Sequence, residues 1–156
     1  MLAITIPDFG LLQLHHLVLD FNGTMARDGE LLAGVSPLLE ELAAKLQIHV
    51  LTADTFGRAA SQLAGLPCRL TVLPPENQAA GKQEYVRQLD ASQTVCVGNG
   101  RNDRLMLKEA ALGIAVVQTE GAAVETLLAA DVVAPSLVDA LELLTHPRRL
   151  VATLRA

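Results

Sequence analysis

The sequence predicts an α/β fold in which one mainly parallel β-sheet lies between two layers of helices. Apolar runs typical of buried strands alternate with segments of helical periodicity, which is the pattern of repeated βαβ units. Hydrophobic residues make up 51% of the sequence and aromatic residues only 3%, so the predicted core is aliphatic. A chain of 156 residues is long enough to enclose such a core, and we expect a single domain over residues 1–156.

The chain begins with a predicted β-hairpin over residues 1–14. Residues 2–6 and 11–14 are mostly apolar segments that suit short strands. The connection Pro7-Asp8-Phe9-Gly10 has the residue types of a turn, since proline presets its φ angle and glycine tolerates a positive one. The hairpin is expected to lead into the first strand of the main sheet.

This first sheet strand is predicted to end at Asp20. The run Leu17-Val18-Leu19 leads directly into the carboxylate, and a polar cluster with a glycine follows, as expected where a buried strand stops at a sharp turn. In an open parallel sheet, the carboxyl ends of the strands are where ligands bind. Asp28-Gly29 is a strong hairpin signal, so residues 24–33 are predicted to form a small flap beside Asp20.

The rest of the chain continues the alternation without a linker, a repeat or a low-complexity tract. Ser36-Pro37 and Ser136 have the residue types that begin helices, and Gly65-Leu66-Pro67 has those that end one. The predicted fold is therefore a Rossmann-like three-layer α/β/α sandwich. The expected helices span 36–46, 54–64, 77–89, 104–111, 121–130, 136–145 and a last segment from 147, and the further expected strands span 48–52, 69–73, 94–98, 113–117 and 131–134.

Composition excludes several classes of function. The net charge is −5 and the sequence has no basic stripe, so nucleic-acid binding has no electrostatic support. No apolar run approaches the roughly 18 residues that a membrane span needs, and the start has no basic-then-apolar leader, so we expect a soluble, cytoplasmic protein. Cys68 and Cys96 are far apart and are interpreted as small hydrophobic residues rather than as metal ligands or a disulfide.

Polar side chains collect where the predicted strands end, and the carboxyl ends of parallel strands face one crevice. Two carboxylates with amide and backbone oxygens nearby form a hard oxygen site suited to Mg²⁺. Hydroxyl, ammonium and glycine-rich backbone N–H groups can hold a phosphoryl group, and an aspartate beside them can act as a nucleophile. Each cluster alone is weak evidence for a function, but together they favour phosphoryl transfer. In chain order, the clusters are Asp20, Asn22 and Thr24, then Thr52, then Lys82, and finally Asn99, Asn102 and Asp103.

The order and spacing of these clusters resemble the haloacid dehalogenase (HAD) superfamily of phosphatases and P-type ATPases. The first motif of that family, D-x-D-G-T or D-K-T-G-T, corresponds to Asp20-Phe21-Asn22-Gly23-Thr24. The second motif, a strand-ending hydroxyl residue, and the third, a lysine, correspond to Thr52 and Lys82. The fourth motif, G-D-G-x-N-D, corresponds to residues 98–103. The resemblance covers about residues 15–145, and it is strongest to small soluble proteins that look like an isolated phosphorylation domain of a P-type ATPase.

The resemblance implies a role for each matching residue. Asp20 would be the nucleophile and a metal ligand, and Lys82 would neutralise its charge and that of the phosphoryl group. Asn22 occupies the position of the catalytic general acid/base and would give its backbone carbonyl to the metal. The remaining implied roles are phosphate binding by Gly23, Thr24, Thr52 and Ala53, metal binding by Asn99 and Asp103, and support of the metal ligands by Asn102.

Two acid-to-amide departures from the family pattern lower the expected activity. Asn22 replaces the usual second acid of the first motif, and an amide can neither take a proton from water nor give one to a leaving group. General acid–base catalysis is worth about 10²–10⁴-fold, so we expect slow hydrolysis or a long-lived aspartyl-phosphate. Asn99 replaces a ligating aspartate, which keeps an oxygen for Mg²⁺ but removes one negative charge.

The spacing of the motifs leaves no room for the cap domain that covers the site in many HAD enzymes. Only 27 residues separate Thr24 from Thr52, and only 29 separate Thr52 from Lys82. Capless members that resemble this chain often cover the site with a neighbouring subunit or act on macromolecules. The expected partners are therefore a small phosphorylated substrate or a phosphoprotein, together with a homo-oligomer, but no nucleic acid and no membrane.

Two alternatives to an active phosphatase stand beside this interpretation. The first is a catalytically degenerate module that binds phosphate, a nucleotide or a protein partner, and both asparagines favour it. The second is a receiver domain, which also phosphorylates an aspartate at a strand end. The late Asn102-Asp103 pair, and the lack of an acidic pair early in the chain, argue against the receiver.

Overall fold

A computed structural model describes residues 1–54 and 57–156 of the chain. Its strands are β1 (Leu2–Ile6), β2 (Gly10–Leu14), β3 (His16–Asp20), β4 (Ala26–Arg27), β5 (Glu30–Leu31), β6 (Gln47–Thr52), β7 (Arg69–Val72), β8 (Thr94–Gly98), β9 (Leu112–Val116) and β10 (Val132–Ala134). Its α-helices are α1 (Val35–Ala43), α2 (Ala59–Gln62), α3 (Gln78–Gln88), α4 (Arg104–Glu109), α5 (Val124–Ala129), α6 (Leu137–Thr145) and α7 (Pro147–Leu154).

The main sheet has six parallel strands in the order β10-β9-β8-β3-β6-β7. Strand β3 lies inside it, hydrogen-bonded to β8 on one side and to β6 on the other, and all five residues of β8 are buried. A strand covered on both faces reads as a continuous apolar run, which is the pattern that β3 and β8 show in the sequence. The predicted parallel α/β fold is confirmed, and Asp20 lies at the carboxyl end of an inner strand.

Side chains from the two faces of the sheet enter two separate apolar clusters. Because successive residues of a strand point to opposite faces, Leu17 and Leu19 pack in one cluster and Val18 in the other. The larger cluster includes residues of α1, α6 and the N-terminal hairpin, and the smaller one includes residues of α3 and α4. This division into helix, sheet and helix is the predicted three-layer sandwich. No helix within the described residues is long and apolar enough to span a membrane.

The N-terminal hairpin agrees with its predicted position. Strands β1 and β2 pair antiparallel with Leu2 opposite Leu14 and Ile6 opposite Gly10. Asp8 at the turn has a φ angle of 63°, a left-handed conformation that aspartate tolerates better than most residues. Alternate apolar side chains of the hairpin are buried, so it packs on the main core through one face.

The second helix is much shorter than the predicted span of residues 54–64. It begins only at Ala59, because Asp54 has a φ angle of 51° and so lies outside the helical conformation. The Asp54 carboxylate instead accepts a hydrogen bond from the Ala59 N–H at 3.0 Å, which caps the short helix from five residues before it. Thr55, part of the predicted start, lies outside the described residues.

A buried histidine, His49, lies on the sheet next to α3 and contacts the half-buried His16. His49 in β6 is 4% exposed, with Nε2 at 3.2 Å from Nδ1 of His16 and Nδ1 at 3.0 Å from the Tyr85 hydroxyl. Burial, together with smaller effects of the nearby His16 and Arg69, lowers the pKa of His49 to about 4. The folded protein therefore disfavours the protonated form of this ring.

This histidine is expected to make the protein less stable in acid. The stability that the neutral ring of His49 provides is fully present above pH 6.5, the pKa of an unfolded histidine. This stability is lost as the pH falls toward 4. The His49→Gln variant cannot gain this proton, so its free energy of unfolding should fall less over that interval, by on the order of 3 kcal/mol. Urea unfolding at several pH values measures this, and parallel curves for the two proteins would contradict it.

Candidate active site

A polar cavity of about 360 Å³ lies at the carboxyl edge of the main sheet. It is located beside the ends of β3, β6 and β8, where a parallel sheet places ligand sites. Most of the side chains predicted from the sequence reach it. The lining residues are Asp20, Asn22, Thr52, Ala53, Gln78, Asn99, Gly100, Arg101, Asn102 and Glu120.

Lys82 joins the two predicted carboxylates. Its Nζ atom lies 2.6 Å from Oδ1 of Asp20 and 2.6 Å from Oδ1 of Asp103, and its side chain is 1% exposed. Burial alone would lower the pKa of Lys82, but the two carboxylates outweigh this effect and raise it. The ammonium group therefore stays charged and supplies a fixed positive charge beside Asp20.

Asp20 is buried but remains available as an anion. Its second oxygen, Oδ2, accepts a hydrogen bond from the Thr24 hydroxyl at 3.0 Å, and that hydroxyl also lies 3.3 Å from Oδ1 of Asn99. Burial and the neighbouring Asp103 raise the pKa of Asp20 to about 6, while Lys82 and Thr24 oppose the rise. A pKa of about 6 leaves most of the Asp20 carboxylate ionised at pH 7.5.

Asp103 organises the fourth motif as well as pairing with Lys82. Its Oδ2 accepts hydrogen bonds from the backbone N–H groups of Asn99 at 3.0 Å and Gly100 at 2.9 Å. A Cβ atom at Gly98 would lie 2.5 Å from Cγ of Asp103, so only glycine permits this close approach. The Asp103 carboxylate therefore already accepts three hydrogen bonds. A direct bond from it to a metal ion stays a prediction.

The first motif forms a tight turn after β3. Gly23 has a φ angle of 81°, and its N–H donates to the Ala26 carbonyl at 2.8 Å, so the turn already uses this predicted phosphate donor. Oδ1 of Asn22 is buried without a hydrogen-bond partner among residues 1–54 and 57–156. A buried polar atom normally has a partner, so this oxygen fits a site that a cation or a hydrogen-bond donor occupies.

Thr52 lies beside the cavity, and its part in phosphate binding stays a prediction. It is 2% exposed at the end of β6, and its hydroxyl accepts the N–H of Asp54 at 2.9 Å. Accepting this hydrogen bond leaves its own O–H to donate to a ligand in the cavity. Ala53 also lines the cavity, and Asn102 donates to Oε1 of Gln78 at 2.9 Å, which ties the fourth motif to the start of α3.

The segment between β9 and α5 contributes to the site although sequence reasoning missed it. We expected a helix from residue 121, but α5 begins at Val124, and residues 118–121 form a tight turn before it. Nε2 of Gln118 donates to the carbonyls of Gly23 at 3.0 Å and Thr24 at 2.9 Å. Gln118 thus holds the first motif, while Glu120 lines the cavity. No sequence motif marks either residue.

The oxygen donors of the site fit a hard cation. The Thr24 hydroxyl contacts both Asp20 and Asn99, and the Lys82 ammonium contacts both Asp20 and Asp103, so these oxygen-bearing side chains lie close together. Oδ1 of Asn22 adds a buried oxygen that has no partner in the described residues. No three His, Cys, Asp or Glu side chains group as metal ligands in the part of the chain that is described. A cation that keeps several water ligands suits such a sparse set of protein oxygens, whereas a zinc-type cage does not.

Replacing Lys82 with Met is expected to destabilise the protein by about 3–5 kcal/mol at pH 7.5. The change leaves the buried Asp20 and Asp103 carboxylates without their shared counterion. The penalty should shrink at pH 5, because protonation removes the uncompensated charge. Urea unfolding at the two pH values measures both effects, with Lys108→Met on the exposed side of α4 as the control. Equal stability of the two variants would contradict the bridging role of Lys82.

Two solved structures with a similar fold are phosphatases. A deoxy-D-mannose-octulosonate 8-phosphate phosphatase from Haemophilus influenzae, solved with cobalt, aligns with a TM-score of 0.72 and 15% identity over 92% of this chain and 94% of the phosphatase. The related enzyme from Moraxella catarrhalis, in complex with magnesium, phosphate and the sugar, aligns with a TM-score of 0.68 and 14% identity over the same shares of the two chains. The chain therefore has the fold of the HAD superfamily.

Two further likenesses concern a transporter and an archaeal protein. A zinc-transporting PIB-type ATPase in its E2.Pi state matches with a TM-score of 0.59 and 26% identity over 78% of this chain, which spans only 20% of the transporter. An uncharacterised protein of Methanocaldococcus jannaschii is 42% identical over 73 residues, which are 47% of this chain and 78% of that protein. The chain belongs to the same family as this archaeal protein. No family model matches the chain.

Proposed function

We propose that the chain is a Mg²⁺-dependent phosphohydrolase or phosphotransferase that works through an aspartyl-phosphate at Asp20. The observation that carries the proposal is the buried ammonium of Lys82, which lies 2.6 Å from both Asp20 and Asp103 beside a polar cavity. An anionic nucleophile with a fixed cation beside it is suited to attack a phosphoryl group, because catalysis of this reaction depends on positioning and charge neutralisation.

The first step would transfer the phosphoryl group to the enzyme. An ionised oxygen of Asp20 attacks phosphorus and forms an acyl-phosphate bond, while the bond from phosphorus to the ester oxygen breaks. The ester oxygen leaves with the electron pair and takes a proton from water, since the amide of Asn22 has none to give. Lys82 and the hydroxyls of Thr24 and Thr52 would hold the charged oxygens during transfer.

The second step would release phosphate. Water attacks phosphorus, the acyl-phosphate bond breaks, and the carboxylate of Asp20 returns as inorganic phosphate and a proton leave. Because Asn22 cannot accept the proton of the attacking water, this step should be slow and the aspartyl-phosphate long-lived. Transfer to an acceptor other than water would give a phosphotransferase with the same intermediate.

The oxygens that would hold Mg²⁺ belong to Asp20, Asn99, Asp103 and the backbone carbonyl of Asn22. When bound, the ion would neutralise negative charge that builds on the transferring group. The all-oxygen donor set supports a hard cation at this place, and the side-chain Oδ1 of Asn22, buried without a partner in the described residues, leaves a further polar atom there for a bound group to contact. The magnesium and cobalt in the two similar phosphatases support it as well.

The substrate class follows from the open site. The cavity has room for a small phosphorylated substrate, and the absence of a long insertion between the motifs also leaves it accessible to a phosphoprotein. A second copy of the chain would cover the site if the protein forms a homo-oligomer, as we expect for a capless member of this superfamily.

Turnover of p-nitrophenyl phosphate in the presence of Mg²⁺ tests the proposal. We expect slow release of p-nitrophenol that stops with a chelator and returns when Mg²⁺ is added in excess. A panel of phosphorylated metabolites under the same conditions ranks the substrates. Turnover that continues unchanged with the chelator would contradict a metal-dependent enzyme.

The second candidate function is a non-catalytic module that binds phosphate, a nucleotide or a protein partner. The amides at Asn22 and Asn99 favour it, since both stand where an acid is usual in the superfamily. A protein that shows neither turnover nor a beryllium fluoride adduct at any Mg²⁺ concentration would establish this alternative. An adduct without measurable turnover would instead indicate a competent nucleophile and a blocked second step.

A further inference from the structure

We propose that Glu120 supplies to the metal site the negative charge that Asn99 lacks. This inference rests on the proposed function, because it concerns the same cation. It assigns a role to a residue outside the four motifs, in a turn that the sequence pattern does not mark.

The first observation is the position of the Glu120 carboxylate. A Cβ atom built on Gly23 would lie 2.3 Å from Oε2 of Glu120, 2.6 Å from Nδ2 of Asn99 and 2.8 Å from Oδ1 of Asn99. The carboxylate and the amide therefore meet in the space that the missing side chain of Gly23 leaves open. Glu120 reaches the junction of the first and fourth motifs although it is distant from both in sequence.

The second observation is that the turn bearing Glu120 is anchored to both motifs. Gln118 at its start donates to the carbonyls of Gly23 and Thr24. Gly121 at its end accepts a hydrogen bond from Nδ2 of Asn99 at 3.1 Å and has a φ angle of 72°. The N–H of Ala123 donates to the Asn99 carbonyl at 2.9 Å. These contacts fix the backbone on both sides of Glu120, whose exposed side chain lies at the rim of the cavity.

The third observation is the charge balance of the site. Lys82 already neutralises one of the two negative charges of Asp20 and Asp103, so one net negative charge remains for a divalent cation. Arg101, which also lines the cavity, is paired with Glu125 at 3.0 Å and leaves this balance unchanged. Glu120 lines the same cavity and brings this charge to two. An aspartate at position 99 would stand directly beside Glu120 and repel it. This part of the site therefore still has one acid, but the acid is Glu120 instead of an aspartate at position 99.

Glu120 acts at longer range than a direct ligand. The described residues contain no group of three carboxylate, histidine or cysteine side chains close enough to share a metal ion. We therefore expect Glu120 to act through its charge, at the range of a water-mediated contact, rather than by a direct bond to the cation. When the carboxylate and the cation are separated by the range of a water-mediated contact, one unit charge changes the affinity for a divalent ion by about tenfold.

Calorimetric titration with Mg²⁺ alone, without substrate and at low ionic strength, tests this role. We expect the Glu120→Gln variant to bind Mg²⁺ about tenfold more weakly than the unmodified protein, with the difference shrinking at high salt. The Glu41→Gln variant changes the same charge at an exposed position late in α1 and should bind like the unmodified protein. Moving the acid back in the double variant Asn99→Asp, Glu120→Gln should restore the affinity.

The outcomes separate this inference from the function on which it rests. A Glu120→Gln variant that binds Mg²⁺ within twofold of the unmodified protein would overturn the role of Glu120 and leave the phosphatase proposal standing. Saturable binding in the unmodified protein without any turnover would contradict the phosphatase and leave the role of Glu120 standing. An unmodified protein that binds no Mg²⁺ would overturn both.

Discussion

Replacing Asn22 with Asp is expected to raise the rate of phosphate release by about 10²–10⁴-fold. Asn22 lines the cavity two residues after the proposed nucleophile, and an acid there can protonate the leaving oxygen and later accept a proton from the attacking water. Both steps of the proposed reaction should therefore accelerate. Steady-state turnover of p-nitrophenyl phosphate with saturating Mg²⁺ measures the change.

The matched control for this variant is Asn77→Asp. Asn77 precedes α3 and is exposed outside the cavity, so it undergoes the same chemical change without reaching the substrate. Single-turnover experiments should also show less accumulated phosphoenzyme in the Asn22→Asp variant, because its second step is faster. A rate increase in both variants, or in neither, would contradict the view that the amide at position 22 limits the reaction.

Replacing Asp20 with Asn is expected to lower turnover by at least about 10³-fold, because it removes the proposed nucleophile. The variant should nevertheless fold. Lys82 keeps Asp103 as its partner, and the raised pKa of Asp20 means that its ionised form costs stability above about pH 6. The free energy of unfolding at pH 7.5 should therefore not fall by the several kcal/mol expected for Lys82→Met.

Turnover and the free energy of unfolding should respond differently in the Asp20 and Lys82 variants. Asp20→Asn should lose activity with little loss of stability, whereas Lys82→Met should lose both. Turnover and urea unfolding, measured on the same preparations, give the two quantities. Turnover in Asp20→Asn above one tenth of the unmodified rate would show that Asp20 is not the nucleophile.

The fold was predictable because its strands are simple apolar runs. Leu17 to Leu19 are buried on both faces of the sheet, so the sequence shows an unbroken apolar stretch that ends where Asp20 begins. The topology of a parallel sheet then brings together residues that are 62 and 21 positions apart, as in the two ion pairs of Lys82. Motif order was enough to predict that these side chains meet.

The rest of the site was not predictable because it depends on turn geometry. Gln118 and Glu120 are ordinary polar residues, and their roles follow from a turn whose backbone is fixed by contacts with two distant loops. The N–H of Gly23 suits phosphate binding in the sequence, but the structure uses it within the turn to Ala26. The positive φ angle of Asp54, which shortens the second helix, was likewise not predictable. The only sequence signal for it is that aspartate tolerates a positive φ better than most residues.

The proposed function requires a phosphoryl group bound covalently to Asp20, which mass spectrometry after acid quenching detects. The protein would be mixed with acetyl phosphate or p-nitrophenyl phosphate and Mg²⁺, quenched in acid and digested. We expect the mass of one phosphoryl group on the peptide that contains Asp20, stable for longer in the unmodified protein than in Asn22→Asp and absent from Asp20→Asn. Turnover without any phosphorylated peptide, or a phosphoryl group on another residue, would contradict it.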